Sequence, residues 1–252
     1  MVKRVVKGKK DQITLDRLSR YRTISQSKQP ENYKNRIVLK PWGYEYLIFE
    51  NKFVAVWFLH LNNGHSTSMH CHPQKKTSLI LLAGKALCNT FEHRNYLECL
   101  DAIILDKAVF HSTKALCSNG IDVIEIETPP NKTDLVRLND EYGRSSSGYE
   151  GLTEMQEDNL STYNHFFFDE ETIHQNYTLD GSYIISLDFI SNKGTLKFLD
   201  DAFYSLFKGE IIDEHHNVFL GVGETEKGEV LRRRGNLQNK DQIILLKTQK
   251  IE

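Results

Sequence analysis

GHSTSMHCHPQKKTSLILLAG, residues 64–84, is the stretch on which the fold turns. It reads as the start of a strand, a polar turn and a second, apolar strand. His70 and His72 stand two apart. Side chains alternate faces along a strand, so both imidazoles aim at one space and Cys71 aims at the other side. Neutral imidazole is the commonest protein ligand for zinc, iron, copper and nickel. A third histidine, His111 in LDKAVFHSTK, follows one hairpin later and completes a pattern that reads as a metal site.

Around this stretch, short apolar, β-branched and aromatic runs alternate with Gly, Asn and Asp turns. They are YEYLIFE (44–50), FVAVWFLHL (53–61), TSLILLAG (77–84), KALCNTF (85–91), YLECLDAIIL (96–105) and IDVIEIE (121–127). A period of roughly 8–12 residues predicts an antiparallel sandwich or barrel. Asn62-Asn63-Gly64, Gly84-Lys85 and Asn119-Gly120 are the turn candidates. Pro129-Pro130 stops the last run, Ser145–Gly148 reads as flexible, and residues 152–180 are mixed in character. Strands resume with SYIISLDFI (182–190), GTLKFLD (194–200), AFYSLFKGEII (202–212), NVFLGVGE (217–224) and DQIILLK (241–247).

The second set repeats the first. SLFKGEII matches SLILLAGKAL as strand, Gly turn, strand; FLGVGE stands where LDAIIL stands, and IILLK where VIEIE stands. The second unit has no His-x-His pair. Its nearby histidines, His215 and His216, are adjacent and would point to opposite faces of a strand, so this unit is expected to hold no metal. The chain therefore divides into a basic N-terminal segment (1–36), a metal-binding unit (37–130), a linker and irregular region (131–180) and a degenerate second unit (181–252). Within the first segment, residues 11–23 carry Ile13, Leu15, Leu18 and Tyr21 at helical spacing, and 25–35 read as a linker.

Composition narrows the function classes. The 252 residues are 39% hydrophobic and 26% charged, as in an ordinary soluble globular protein. A net charge of -2 gives no global case for nucleic acid or an anionic membrane. The first 22 residues are basic but lack the apolar stretch of a signal peptide. A solvated or dimer-contacting helix is a simpler reading of them than a nucleic-acid or lipid arm. No apolar run approaches the ~20 residues that span a bilayer. Cys71, Cys88, Cys99 and Cys117 lie in apolar strand-like segments without CxxC spacing, which fits buried free thiols in a reducing cytoplasm.

The first unit resembles a cupin, a small double-stranded β-barrel or jelly roll. The family's first motif is Gly, five residues, His-x-His, three or four residues, Glu, six residues, Gly. Gly64, His70, His72 and Gly84 fall at matching spacings, and His111 matches the histidine of the second motif. Lys40-Pro41-Trp42-Gly43-Tyr44-Glu45 resembles the KPWG segment of cupins similar to type II mannose-6-phosphate isomerases. The likeness covers about residues 37–128 and extends weakly over about 180–248. Two positions depart from it. Thr77 stands at the spacing of the motif glutamate, next to Lys76, and Asp106-Lys107-Ala108 replaces the Pro-x-Gly turn before His111.

The resemblance implies an all-β bicupin whose His70, His72 and His111 hold a divalent metal (Zn, Fe, Ni or Mn). Without the carboxylate such a site is more positive by one charge and suits a small anionic, sugar-like substrate. It further implies a metal-dependent isomerase or epimerase of a sugar phosphate or nucleotide-linked sugar, in carbohydrate or polysaccharide biosynthesis. Lys76 and Glu45 are the candidates for the base. Lys76 otherwise reads as a solvated turn charge, and Trp42 and Trp57 read either as core or as sugar-stacking platforms. A three-histidine iron dioxygenase and a non-catalytic sugar-binding bicupin are the alternatives. Cupins also pair through their sheets, so either a homodimer or pairing of the two units within the chain is expected. Tyr142 and Tyr149 have no assignable role, and His60, His65, His93, His165 and His174 have no partner by spacing.

Overall fold

The computed structural model describes residues 1–21, 28–139, 141–144, 148–169, 175–179 and 182–251. Strand β1 (Val2–Val5) and helix α1 (Lys9–Tyr21) open the chain. They are followed by β2 (Ile37–Lys40), β3 (Gly43–Glu50), β4 (Ala55–Leu61), β5 (Met69–Cys71), β6 (Lys76–Ala83), β7 (Lys85–Thr90) and β8 (Arg94–Glu98). Next come β9 (Ala102–Leu105), β10 (His111–Ala115), β11 (Ile121–Thr128), β12 (Val136–Asn139) and β13 (Met155–Gln156). These strands build two facing sheets, in the orders β1-β9-β6-β11-β4-β3-β2-β13 and β12-β5-β10-β7-β8. Pairing is antiparallel except for the parallel β1–β9 pair.

The barrel follows from period-two alternation. On β11, Ile124 and Ile126 face away from the barrel, while Val123, Glu125 and Glu127 face in. The register places Leu79 and Trp57 opposite Glu125, and Leu81 and Leu59 opposite Val123. The inward apolar residues, Trp57 and Leu79 among them, form one core.

The second unit consists of β14 (Gln175–Leu179), β15 (Tyr183–Ile190), β16 (Ala202–Lys208), β17 (Ile211–Ile212) and β18 (Val218–Leu220), then β19 (Thr225–Lys227), helix α2 (Gly228–Arg234), β20 (Gln238–Asn239) and β21 (Ile243–Lys250). Its sheets run β14-β15-β21-β16-β19 and β18-β17-β20. The larger order repeats β3-β4-β11-β6-β9 of the first unit, strand for strand. The likeness extends to single atoms. Gly84 and Gly209 both take a left-handed φ, +84° and +80°. A Cβ on Gly84 would lie 2.7 Å from the Gly120 carbonyl and 2.9 Å from Ile121 Cγ2. On Gly209 it would lie 2.7 Å from the Gln242 carbonyl and 2.8 Å from Ile243 Cγ2. The counterpart of β5 has shrunk to an isolated bridge between Thr195 and Gln238, where the first unit pairs His70 with His111. GTLKFLD is therefore not a strand. His215 and His216 lie in the turn between β17 and β18, so they share no strand face.

The large sheets of the two units pack back to back. Tyr46, Phe58 and Ile124 of the first meet Ile185, Phe207 and Ile244 of the second in a shared core, with Phe49 stacked on Phe207 at 5.3 Å. A fully buried side chain of this size contributes roughly 1.5–3 kcal/mol. This face of the first unit is thus covered from within the chain, and a third core fills the second unit.

Three sequence boundaries shift. Residues 1–36 are not a separate arm, because β1 joins the first sheet. Helix α1, starting two residues earlier than its spacing predicts, is docked by the buried Asp11 carboxylate, which accepts the Phe110 amide at 2.8 Å. Within the linker and irregular region, 131–180, β12 pairs with β5 and β13 with β2. Its cavity-lining residues mix Lys132, Arg137, Arg144 and Glu150 with Leu135 and Tyr149, so no apolar period marks them. The flexible reading of 145–148 falls almost wholly outside the described residues, as does His174. Finally, Cys71 and Cys88 are buried, but Cys99 is exposed and Cys117 half-buried, since each lies in a turn beyond the end of a strand. Among the described residues no helix is long and apolar enough to cross a membrane.

Candidate metal centre

β5 carries His70, His72 follows it directly, and β10 opens with His111 in register opposite His70. Opposite residues of an antiparallel pair share a face, so three imidazoles converge. Ring centroids lie 4.4 Å apart for His70–His111, 4.9 Å for His70–His72 and 5.6 Å for His72–His111. One ring nitrogen from each falls within 4.8 Å of the others.

The backbone sets the tautomers. Nδ1 of His70 donates to the Ser68 carbonyl at 2.7 Å, Nδ1 of His72 to that of Asp134 at 2.6 Å, and Nδ1 of His111 to that of Val109 at 3.0 Å. A carbonyl can only accept, so the proton sits on Nδ1 and the Nε2 lone pair is free. The buried Nε2 of His72 has no hydrogen-bond partner among the described residues. Burial lowers all three basicities, His111 to about 4 and the other two well below the usual value. Three neutral imidazoles with free Nε2 and anchored Nδ1 fit a borderline divalent cation. Thr77 faces inward, and its Oγ1 has no hydrogen-bond partner among the described residues. Among the described residues no carboxylate joins the three-histidine group.

The structure separates the two candidate bases. Lys76 begins β6 on the side away from the barrel, and its Nζ lies 3.5 Å from Glu224 of the second unit. It does not line the cavity. Lys75, one residue earlier, does: its fully buried Nζ bonds Glu127 at 2.7 Å and the Asn131 carbonyl at 3.0 Å. Glu45 does face the cavity, but it is held by Lys132 at 3.0 Å, Lys40 at 3.4 Å and the Tyr149 hydroxyl. Burial opposes its ionisation, yet Lys132 and Lys40 outweigh burial and lower its pKa.

Beyond the histidines the cavity wall is a charge network, much of it from Lys132, Arg137, Arg144 and Glu150. Glu150 receives Lys40, Arg137 at 3.3 Å and Arg144 at 2.5 Å. Against the effect of burial, Lys40 and Arg137 draw its pKa to about 2. Lys132 sits 3.6 Å above the Trp57 ring and Lys40 3.8 Å above that of Tyr149. Trp57 is thus a core residue whose face carries a cation, while Trp42 lines the cavity. Five cations, Lys40, Lys75, Lys132, Arg137 and Arg144, face four carboxylates, Glu45, Glu125, Glu127 and Glu150.

Glu125 stands apart: it has no hydrogen bond or ion pair among the described residues, and burial pushes its pKa up to about 7. Sequence reasoning missed this network except for Glu45. One signal was present: Glu125 and Glu127 stand two apart in an apolar strand, the same parity that singles out His70 and His72. Of the remaining histidines, His60 bonds Asp122 at 2.7 Å and His65 bonds the Tyr142 hydroxyl at 3.1 Å, while the ring of His165 contacts that of Tyr46.

No family model and no curated protein matches the chain. Among solved structures it is similar to KdgF from Halomonas sp., at 14% identity over 42% of this chain and 96% of that one, with a TM-score of 0.36. It is also similar to an RmlC-like cupin from Shewanella frigidimarina, at 15% over 41% and 92%, TM-score 0.36. A protein with a double-stranded β-helix domain from Klebsiella pneumoniae gives 15% over 38% and 79%, TM-score 0.35. These likenesses concern the fold alone. The paired sheets, their strand order and the converging histidines define an all-β, two-unit jelly-roll barrel, with the candidate metal site in the first unit and, among the described residues, none in the second.

Proposed function

We propose that this protein is a metal-dependent isomerase or epimerase acting on an anionic sugar, either a sugar phosphate or a nucleotide-linked sugar. The observation that carries this reading is the pairing of three free Nε2 atoms with a cavity whose cations outnumber its carboxylates. When bound at His70, His72 and His111, a divalent ion supplies Lewis acidity toward carbonyl and hydroxyl oxygens. The chain's own residues do the rest. The ammonium and guanidinium groups favour an anionic ligand and fix its orientation. Trp42, Leu59 and Leu61 line the same cavity and displace water from around it, which strengthens every charge interaction there.

The test is metal analysis of the purified protein together with proton exchange from mannose 6-phosphate in deuterated water, followed by NMR. Stoichiometric metal that His70→Ala abolishes, with exchange at the carbon next to the carbonyl, is the expected result. Substoichiometric metal that His70→Ala leaves unchanged would sink the proposal. A three-histidine iron dioxygenase is the second reading, favoured by the absence of a carboxylate from the donor group among the described residues. Oxygen uptake by the Fe²⁺-loaded protein in the presence of a substrate would select it.

A further inference from the structure

We infer that Glu125 is the acid–base group of this site, taking a proton from the carbon beside a substrate carbonyl and returning it to that carbon or its neighbour. The inference rests on the isomerase reading and names the residue that moves the proton.

Four carboxylates line the cavity, and three are fixed by cations: Glu45 by Lys132 and Lys40, Glu127 by Lys75 and Lys132, Glu150 by Lys40, Arg137 and Arg144. A carboxylate whose oxygens are taken up by cations makes a poor base. Glu125 has no such partner among the described residues, though it is buried and faces the same cavity. An unpaired buried carboxyl is costly to fold, and such groups concentrate at functional sites.

The surroundings agree. Leu79 and Trp57 lie directly opposite Glu125 in the sheet and offer it no charge. The ionisable groups that act on it are Lys132 and Lys75, which favour the anion, and Glu127 and Glu45, which oppose it. Burial dominates, and the group is poised to exchange a proton near neutrality. The Lys75 ammonium also acts on all three histidines, so Glu125 and the imidazoles share one electrostatic field.

The step balances without a co-reactant. The C–H bond breaks, its proton passes to an oxygen of ionised Glu125, and its electron pair forms the C=C bond of an enolate as the C=O π pair moves onto the carbonyl oxygen. The neutral Glu125 then gives the proton back to the same carbon, or to the former carbonyl carbon while the proton of the adjacent hydroxyl passes to the enolate oxygen and the new C=O forms there.

The experiment uses the full, metal-loaded chain with mannose 6-phosphate and a nucleotide-linked ketohexose as probes. Glu125→Gln is expected to keep its metal and lose exchange by about 100-fold or more. The wild type should show a rate inflection near pH 7 that Glu125→Gln lacks and Glu125→Asp retains at a lower rate. Infrared difference spectra of the wild type should show one protonated carboxyl disappearing through the same pH range and missing from Glu125→Gln. Unchanged exchange in Glu125→Gln, or a carboxyl signal that persists in it, overturns the assignment and leaves the isomerase reading standing. No exchange by the metal-loaded wild type on either probe overturns both.

Discussion

Replacing Glu125 by Gln should stabilise the protein, and only above the ordinary titration range of a glutamate. Burial raises the Glu125 carboxyl from the usual 4.5 to about 7. Between those pH values the folded chain holds a proton that the unfolded chain has released. Stability therefore falls as pH rises from about 4.5 to about 7 and is level above that. At about 1.36 kcal/mol per pH unit, the span sets an upper bound of about 3 kcal/mol of destabilisation at pH 8. Gln is nearly isosteric and carries no charge, so Glu125→Gln removes the penalty. Measured with chelator present, so that metal binding does not contribute, the variant should match the wild type at pH 4.5. At pH 8 it should gain up to about 3 kcal/mol, or about 6–12 °C in Tm for a chain of this size. Urea midpoints at the two pH values give the comparison. A variant less stable than the wild type at pH 8, or one whose gain is the same at both pH values, would refute the argument that burial of this carboxyl outweighs the cations around it.

Lys75→Met should cost about 1–3 kcal/mol by urea unfolding, because it leaves the buried Glu127 carboxylate with only the longer Lys132 contact at 3.3 Å; adding Glu127→Leu should recover most of the loss. Gly84→Ala and Gly209→Ala should destabilise by similar amounts, at least about 1–2 kcal/mol each, because equivalent turns demand a left-handed φ and leave no room for a Cβ; unequal costs would argue against the repeat. Zinc at 100 times its Kd should stabilise the wild type by about 2.7 kcal/mol, and His72→Ala should abolish the gain in a thermal melt. Lys76→Ala should leave metal stoichiometry unchanged and cost under about 1 kcal/mol, since its contact with Glu224 is partly exposed.

Much of this was legible in the sequence because it depends on local periodicity. Parity along a strand put His70 and His72 on one face. The Gly turns and apolar runs marked most of the barrel strands and the repeat. What local pattern cannot carry is which face of a strand meets the cavity. The spacing to Gly84 pointed to Lys76-Thr77, but the inward cation is Lys75, because the alternation of β6 starts with Lys76 facing out. Glu125 and Glu127 shared the parity of the histidines, yet only the packing of β11 between β4 and β6 turns them inward.

The sequence by itself determined the long apolar barrel strands, the two-unit repeat and the three-histidine group, since each rests on residues close together or on a repeated pattern. The tertiary structure decided that Lys132, Arg137, Arg144, Tyr149 and Glu150 wall the cavity, that the units share a core, and that, among the described residues, one cavity carboxylate of four lacks an ion pair. Those facts depend on contacts between residues far apart in the chain, where charge pairing and burial are settled only once the sheets have closed.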